Sequence, residues 1–141
     1  MIRIQVKDVM TNAPARCSPD TKLGTVAKLM LANNCGEIPV CDGAKLVGVV
    51  TDRDIAVRAF AKGTNPRDLP AAAVMTERLY TITESGDIDT AAALMKTQRV
   101  RRLPVVRDGD LVGIVSQGDL VGALPDTKVA DFLKAISRRP I

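Results

Sequence analysis

The sequence repeats itself once, without a gap. When it is shifted by 65 positions, residues 9–55 align with residues 74–120 and fourteen of the aligned pairs are identical. The longest identical runs are Val9-Met10-Thr11 with Val74-Met75-Thr76, and Leu46-Val47-Gly48 with Leu111-Val112-Gly113. A solenoid needs about three or more copies of its repeat. Two copies therefore predict two equivalent halves that share one core as a pseudo-twofold pair.

Each half predicts the element order β-α-β-β-α, which places the chain in the α+β class. A brief strand, at Ala15–Cys17 or Tyr80–Ile82, leads into a helix whose N-cap is predicted at Asp20 or Ser85. The helix carries apolar residues at the i, i+3, i+4, i+7 spacing of a buried face: Leu23, Val26, Ala27 and Met30, repeated as Ile88, Ala91, Ala92 and Met95. Two apolar strands joined by an Asp-Gly turn, and then a closing helix, complete each half.

The breaks between these patterns define four segments. Residues 1–62 form the first repeat, and Lys62-Gly63-Thr64-Asn65-Pro66 ends its last helix, so that residues 63–70 are a linker. Residues 71–124 form the second repeat, and residues 125–141 a C-terminal helix and tail. This last helix has its own apolar stripe and is expected to contact either the domain or a partner chain.

Composition narrows the functional classes. No apolar run approaches the ~20 residues of a membrane span, and the first residues lack the apolar core of a secretory signal, so a cytoplasmic location without membrane contact is expected. The sequence contains no histidine and its three cysteines show no Cys-x-x-Cys spacing, which argues against a zinc site and against the usual general base. No Walker loop or Gly-x-Ser-x-Gly string occurs, and an enzyme is not expected. The net charge of +4 permits nucleic-acid binding, but most basic residues are scattered.

One turn in each half combines the groups that a ribonucleotide needs. Gly48–Asp54 and Gly113–Asp119 both read glycine, two β-branched residues, Thr or Ser, any two residues, Asp. A strand that turns sharply into a helix points backbone N–H groups outward, where a phosphate is favoured. The hydroxyl adds a donor there, and the carboxylate one turn later suits a ribose diol. The same spacing is also that of a capping box, and both roles remain open.

In the order and double occurrence of these motifs, residues 5–124 resemble a tandem pair of cystathionine-β-synthase (CBS) domains. The matching residues are the two Val-Met-Thr runs, the strands Ile38-Pro39-Val40 and Leu103-Pro104-Val105, and the two turns. The chain is most similar to stand-alone bacterial CBS-pair proteins of the hypoxic-response-protein type.

The resemblance implies a role and a set of site residues. CBS pairs bind adenosine-containing ligands such as AMP, ADP, ATP or S-adenosylmethionine in clefts between the repeats, and form homodimers through their helices. Thr or Ser then contacts phosphate, and Asp contacts ribose. The implied ligand-binding residues are Arg16, Cys17, Ile38, Pro39, Thr51, Asp52, Arg53 and Asp54 in one cleft, and Thr81, Ile82, Arg102, Leu103, Pro104, Ser116 and Asp119 in the other.

The resemblance also separates the two clefts. Family members that bind AMP often carry a basic residue two positions before the strand proline. That position holds Arg102 in the second half and Glu37 in the first. Arginine can bridge a phosphate with two N–H donors, whereas a glutamate repels it. Arg53 is the residue that would compensate in the first half.

Cys17 and Cys41 end two strands that neighbour each other in a CBS fold. A reversible disulfide between them is a hypothesis, which requires their Cα atoms to come within ~7 Å. In a reducing compartment such a bond would act as a redox response.

The predicted function is a non-catalytic sensor. An adenine nucleotide or S-adenosylmethionine would act as a regulatory ligand, with no cofactor required, and the protein would signal through a homodimer to an unknown protein partner. A nucleic-acid-binding module and a ligand-free structural dimer are the alternatives.

Overall fold

The computed structural model describes residues 3–63 and 65–137 of the chain. The elements follow in this order: α1 Val6–Val9, β1 Thr11–Asn12, α2 Leu23–Asn33, β2 Glu37–Asp42, β3 Lys45–Thr51, a π-helix Asp54–Ala59, 3-10 turns Pro66–Asp68 and Ala71–Ala73, β4 Ile82–Thr83, α3 Ile88–Gln98, β5 Arg102–Arg107, β6 Asp110–Ser116, α4 Gln117–Val121 and α5 Asp126–Ser137. The α+β class and the C-terminal helix are confirmed. Thr64 of the predicted linker and residues 138–141 of the predicted tail lie outside the described residues.

The chain divides into two compact units. The continuous unit is Ala15–Leu79, and the split unit combines Met1–Pro14 with Tyr80–Ile141. Among the described residues, no helix has both the length and the apolar character needed to cross a membrane.

The continuous unit is built on the antiparallel hairpin of β2 and β3. Glu37 lies opposite Thr51 in its register, and Pro39 lies opposite Val49. The brief strand predicted at Ala15–Cys17 is reduced to a single parallel bridge between Cys17 and Val40. Helix α2 covers the hairpin, and the core of the unit consists of Cys17, Leu23, Val26, Met30, Ile38, Val40, Val50, Ala59, Ala71 and Val74.

The split unit repeats this arrangement and extends it. Arg102 lies opposite Ser116 in the antiparallel pairing of β5 and β6, and β4 joins β5 in parallel. Helix α5 belongs to this unit, because Phe132 is 1% exposed and Ile136 is buried with it. The remaining buried core residues are Val6, Ile82, Ile88, Ala91, Ala92, Met95, Leu103, Val105, Val115, Leu120 and Leu124. The C-terminal helix therefore completes the core of its own unit.

The opening segments of the two repeats, which contain Val9–Thr11 and Val74–Thr76, exchange places. Thr11 and Asn12 of the first repeat pair with Ile114 and Gly113 of β6, which belongs to the second repeat. Thr76 of the second repeat bridges Val49 of β3, with reciprocal backbone hydrogen bonds of 2.8 and 3.0 Å. Each compact unit thus contains the body of one repeat and the opening segment of the other.

The predicted N-caps were wrong for both long helices. Helix α2 begins after Lys22, without a side-chain cap, because the Leu23 N–H donates to the Leu69 carbonyl at 2.8 Å instead. Helix α3 begins after Asp87, whose carboxylate accepts from the Thr90 N–H at 2.8 Å. Asp20 and Ser85 precede these starts and are exposed. Backbone contacts between segments supply partners that the local sequence does not reveal.

Candidate functional site

The turn of the second repeat, Gly113–Asp119 (the second-copy turn), forms a capping box at the junction of β6 and α4. The Ser116 hydroxyl accepts from the Asp119 N–H at 3.2 Å, and Asp119 Oδ2 accepts from the Ser116 N–H at 2.8 Å. The capping role is therefore present. Asp119 is only half-buried, and no donor within the described chain contacts its Oδ1. That oxygen remains able to accept from a ligand.

Arg102 and Ser116 are brought together by the strand register. Residues directly opposite in an antiparallel pair project from the same face, with Cβ atoms about 5 Å apart. Arg102 is half-buried there, and Leu103 and Pro104, which follow it, are buried. Ile82 pairs with Val105, so that the half-buried Thr81 comes to the beginning of β5 as well. The second set of predicted site residues thus lies at one end of one sheet.

An ion pair joins β4 and β5 at the end of the sheet away from Arg102. The Arg107 guanidinium, at the end of β5, donates to the carboxylate of Glu84, just after β4. This hydrogen bond lowers the pKa of Glu84 and raises the pKa of Arg107. The contact holds β4, and with it Thr81 and Ile82, against β5.

The first-copy turn, Gly48–Asp54, has the same capping box but different neighbouring side chains. The Thr51 hydroxyl accepts from the Asp54 N–H, and Asp54 Oδ2 accepts from the Thr51 N–H, both at 3.0 Å. Asp54 is 6% exposed and is the buried charged side chain of the described core. Its carboxylate also accepts from the Thr76 hydroxyl, at 3.3 Å to Oδ2 and 3.4 Å to Oδ1, and lies 3.6 Å from Arg58 Nε.

Thr76 and Arg58 are site residues that the sequence interpretation missed. Arg58 also reaches the opening segment, because its Nη1 donates to the carbonyls of Val74 and Met75 at 3.3 and 3.5 Å. The repeated Val-Met-Thr run was a signal for Thr76. For Arg58 the signal was its spacing, because it follows Asp54 by four residues on a helix, where opposite charges meet; the aligned residue of the second copy is Ala123.

The remaining predicted residues of the first copy divide into a buried and an exposed group. Cys17 donates its N–H to the Pro39 carbonyl at 2.9 Å, which brings these two residues together with the buried Ile38. Arg16, Asp52 and Arg53 are exposed. Asp52 Oδ1 accepts from the Arg53 N–H at 2.8 Å. The acidic residues Glu37 and Asp52 flank Thr51, whereas Arg101, Arg102 and Gln117 occupy the positions around Ser116.

The proposed cysteine pair lies in adjacent backbone segments. Cys17 and Cys41 are both buried and not joined by a disulfide, and the Cys41 N–H donates to the Cys17 carbonyl at 2.8 Å. Burial raises the pKa of the Cys17 thiol to about 11, and the neighbouring Cys41 adds to the shift. Because the thiolate is the reactive form, oxidation near neutral pH should be slow. The disulfide stays a prediction, which counting free thiols before and after mild oxidation would test.

Among the residues that the structure describes, no group of three or more His, Cys, Asp or Glu side chains is arranged to hold a metal ion.

The comparisons with known proteins identify the family. The CBS domain model matches residues 6–59 and 71–126, and the chain belongs to the CBS-domain family. It is 38% identical over 137 residues to the CBS domain-containing protein YhcV of Bacillus subtilis, covering 96% of this chain and 97% of that protein. It is 33% identical over 132 residues to hypoxic response protein 1 of Mycobacterium tuberculosis, covering 92% of each. The resemblance to stand-alone CBS-pair proteins is confirmed.

Solved structures show the same fold, and some contain ligands. The structure of hypoxic response protein I with two coordinated zinc ions matches with a TM-score of 0.78 and 30% identity, over 86% of this chain and 99% of that one. The CBS pair of MJ0100, in complex with 5-methylthioadenosine and S-adenosylmethionine, matches with a TM-score of 0.76 and 28% identity, over 86% of this chain and 96% of that one. CBSX2 in complex with AMP matches with a TM-score of 0.74 and 29% identity, over 85% of this chain and 95% of that one.

Proposed function

We propose that this protein is a non-catalytic regulatory module that binds an adenosine-containing ligand and transmits its binding as a structural change. AMP, ADP, ATP and S-adenosylmethionine are the candidate ligands. The supporting observation is the arrangement of Arg102, Ser116 and Asp119 at one end of the β5–β6 sheet. The guanidinium and hydroxyl are suited to a phosphate, and the half-buried carboxylate to a ribose diol.

The comparisons support the adenosine class. Two proteins of the same fold, at 28 and 29% identity, were solved with AMP or with 5-methylthioadenosine and S-adenosylmethionine. The three ligands share an adenosine group and differ in what is attached to its 5′ position. The attachment that this chain prefers depends on the charges beside each turn, which favour a phosphate next to Arg102.

We infer that the signal passes through a homodimer to a protein partner. Val57 and Phe60 lie one helical turn apart on the helix that follows the first-copy turn, and they are 52% and 65% exposed. Exposed large apolar side chains grouped on one face often mark an interaction surface. Asp54 and Arg58 lie on the same helix, so a change at the turn would reach this face directly.

A thermal-shift panel tests the ligand proposal. The protein is melted alone and with AMP, ADP, ATP, NAD or S-adenosylmethionine. A ligand at a hundred times its Kd stabilises by about 2.7 kcal/mol, which for a chain of this size raises Tm by several degrees. The variant D119A, which retains Ser116 and Arg102, should lose the shift given by the best ligand.

The outcomes separate the alternatives. A shift with one adenosine compound that D119A removes supports the sensor. If none of the compounds changes Tm, the sensor proposal fails and a structural dimer becomes the better interpretation. If DNA or RNA binds instead, with an affinity that falls steeply as salt increases, the nucleic-acid alternative replaces it.

A further inference from the structure

We propose that the protein binds one adenine nucleotide per chain, at the second-copy site, because Arg58 and Thr76 close the first-copy site to it. This inference rests on the proposed function and concerns how the two turns divide that function. It assigns Arg58, Thr76 and Glu37 as the residues that determine which turn accepts a nucleotide.

The carboxylate of Asp54 is already occupied by the protein. Oδ2 accepts from the Thr51 N–H at 3.0 Å and from the Thr76 hydroxyl at 3.3 Å, and Oδ1 lies 3.6 Å from Arg58 Nε. With 6% of the residue exposed, a ribose diol can bond this carboxylate only by displacing Thr76 or Arg58.

The displacement would disturb more than one contact. Arg58 Nη1 also donates to the Val74 carbonyl at 3.3 Å, and Thr76 is bridged through its backbone to Val49. Within the continuous unit, these bonds hold residues 74–76 against β3 and the helix of Arg58. Breaking a hydrogen bond costs about 0.5–1.5 kcal/mol, and each contact that a ligand breaks here would be subtracted from its binding energy.

The second-copy turn lacks these contacts. The residue aligned with Arg58 is Ala123, which has no charge, and the residue aligned with Thr76 is Thr11, which is exposed. Among the described residues, the hydroxyl of Thr11 makes no hydrogen bond to Asp119. The carboxylate of Asp119 therefore has one oxygen committed to the cap and one available to a ligand.

The charges opposite the two hydroxyls act in the same direction. Arg102 lies opposite Ser116, and Glu37 lies opposite Thr51. A phosphate next to Thr51 would share one sheet face with a carboxylate, whereas a phosphate next to Ser116 would share it with a guanidinium. The first-copy turn is thus unfavourable to both parts of a nucleotide, its ribose and its phosphate.

Isothermal titration calorimetry with AMP as the probe tests the proposal through its stoichiometry. The unsubstituted protein should bind one AMP per chain, and D119A should bind none. The variant E37R/R58M places an arginine opposite Thr51, as Arg102 lies opposite Ser116, removes the charge of residue 58 while retaining an aliphatic side chain, and should bind two. Adding D54A to that variant should return the number to one, because the new site depends on the released carboxylate.

Each outcome decides the question. Two AMP per chain in the unsubstituted protein, an AMP that survives D119A, or a folded E37R/R58M variant that still binds one would overturn the inference and leave the proposed function standing. No AMP binding to any variant would overturn both for this ligand. Melting curves establish that the variants fold; if E37R/R58M does not fold, R58M alone must show a second, weaker binding event.

Discussion

Arg102 and Ser116 face each other across the antiparallel pairing of β5 and β6, at the point where β6 turns into α4. We expect R102A to weaken the binding of AMP about tenfold to a hundredfold, because a hydrogen bond to a charged group contributes about 1.5–3 kcal/mol. Calorimetric Kd values measure the change. R102K should retain part of the affinity, since an ammonium supplies charge without the two parallel donors.

Arg101 provides the matched control for Arg102. It is adjacent in sequence, precedes the first residue of β5, and is exposed. R101A should leave the affinity for AMP close to that of the unsubstituted protein. An equal loss in R101A and R102A would show that only general positive charge matters. Adenosine, which lacks the phosphate, should bind R102A as it binds the unsubstituted protein.

The two turn carboxylates should differ in their contribution to stability. Loss of a helix cap costs about 1 kcal/mol, and this applies to D54A and D119A alike. Asp54 is buried and also contacts Thr76 and Arg58, so D54A should cost about 1–2 kcal/mol more. Urea unfolding of both variants measures the free energies. Equal values for the two would mean that the contacts of Arg58 and Thr76 contribute nothing to the folded state.

The thiol of Cys17 should make stability depend on pH above neutrality. Burial raises its pKa from 9.0 to about 11, so the fold favours the neutral thiol. Its stabilising contribution is complete below about pH 9, where the unfolded chain also keeps the proton, and is lost as the pH rises toward 11. The loss is on the order of 2 kcal/mol. The measurement is the difference in unfolding free energy between the protein and C17S. If that difference is the same at pH 8 and pH 10.5, Cys17 is not the responsible group.

Two glycines allow the opening segments to approach the last strand of each hairpin. A Cβ at Gly113 would lie 2.5 Å from Met10 Sδ and 2.9 Å from the Thr11 carbonyl oxygen. At Gly48 it would lie 2.8 Å from Met75 Sδ and 3.1 Å from the Thr76 carbonyl oxygen. G113A and G48A should each cost about 1–3 kcal/mol, with G113A the larger.

Gly118 is the control for these two glycines. It lies in α4, and a Cβ there would meet no atom closer than the Ser116 Oγ at 3.7 Å. G118A should be neutral or should stabilise by up to about 1 kcal/mol, because alanine favours a helix. Thermal melting of the three variants measures the order. A G113A protein as stable as G118A would indicate that the segment around Thr11 is not held closely against β6.

Phe60 tests the proposed homodimer. F60S should shift the protein from dimer to monomer in light scattering coupled to size exclusion, since it removes the larger exposed apolar side chain of the Val57 and Phe60 face. Leu31, which is 84% exposed on α2, is the control, and L31S should keep the dimer. A dimer that persists in F60S, or one that both substitutions dissolve, would contradict this face as the interface.

The sequence predicted those features that depend on neighbouring residues or on a regular period. The stripe Ile88, Ala91, Ala92 and Met95 is buried, and of the first stripe only Ala27 is exposed. Both Thr/Ser-x-x-Asp strings form capping boxes, because their hydrogen bonds span only three residues. The resemblance to the family placed Arg102 near the phosphate, and the register of the structure puts it opposite Ser116.

The sequence could not predict contacts between distant segments. The repeat makes the two opening segments nearly equivalent, so the sequence does not show which body each one pairs with. Thr76 depends on that exchange, since it contacts Asp54 only because residues 74–76 lie against β3, and Arg58 reaches the Val74 carbonyl for the same reason. The start of α2 was misplaced for the same reason: the Leu69 carbonyl, far along the chain, satisfies its first N–H.

The exchange of opening segments also sets an order of events during synthesis. The continuous unit needs only residues 15–79, whereas Thr11 can pair only after Ile114, roughly a hundred residues later, has been synthesised. At about 5–20 residues per second the wait is about 5–20 s, and contacts of such long separation are slow to form. We expect hydrogen-exchange labelling during refolding to protect β2 and β3 before β1. In the interval β6 has not been made, so a nascent chain contains only the first turn of the pair, and the nucleotide site proposed at Ser116 can form only after β6 is complete.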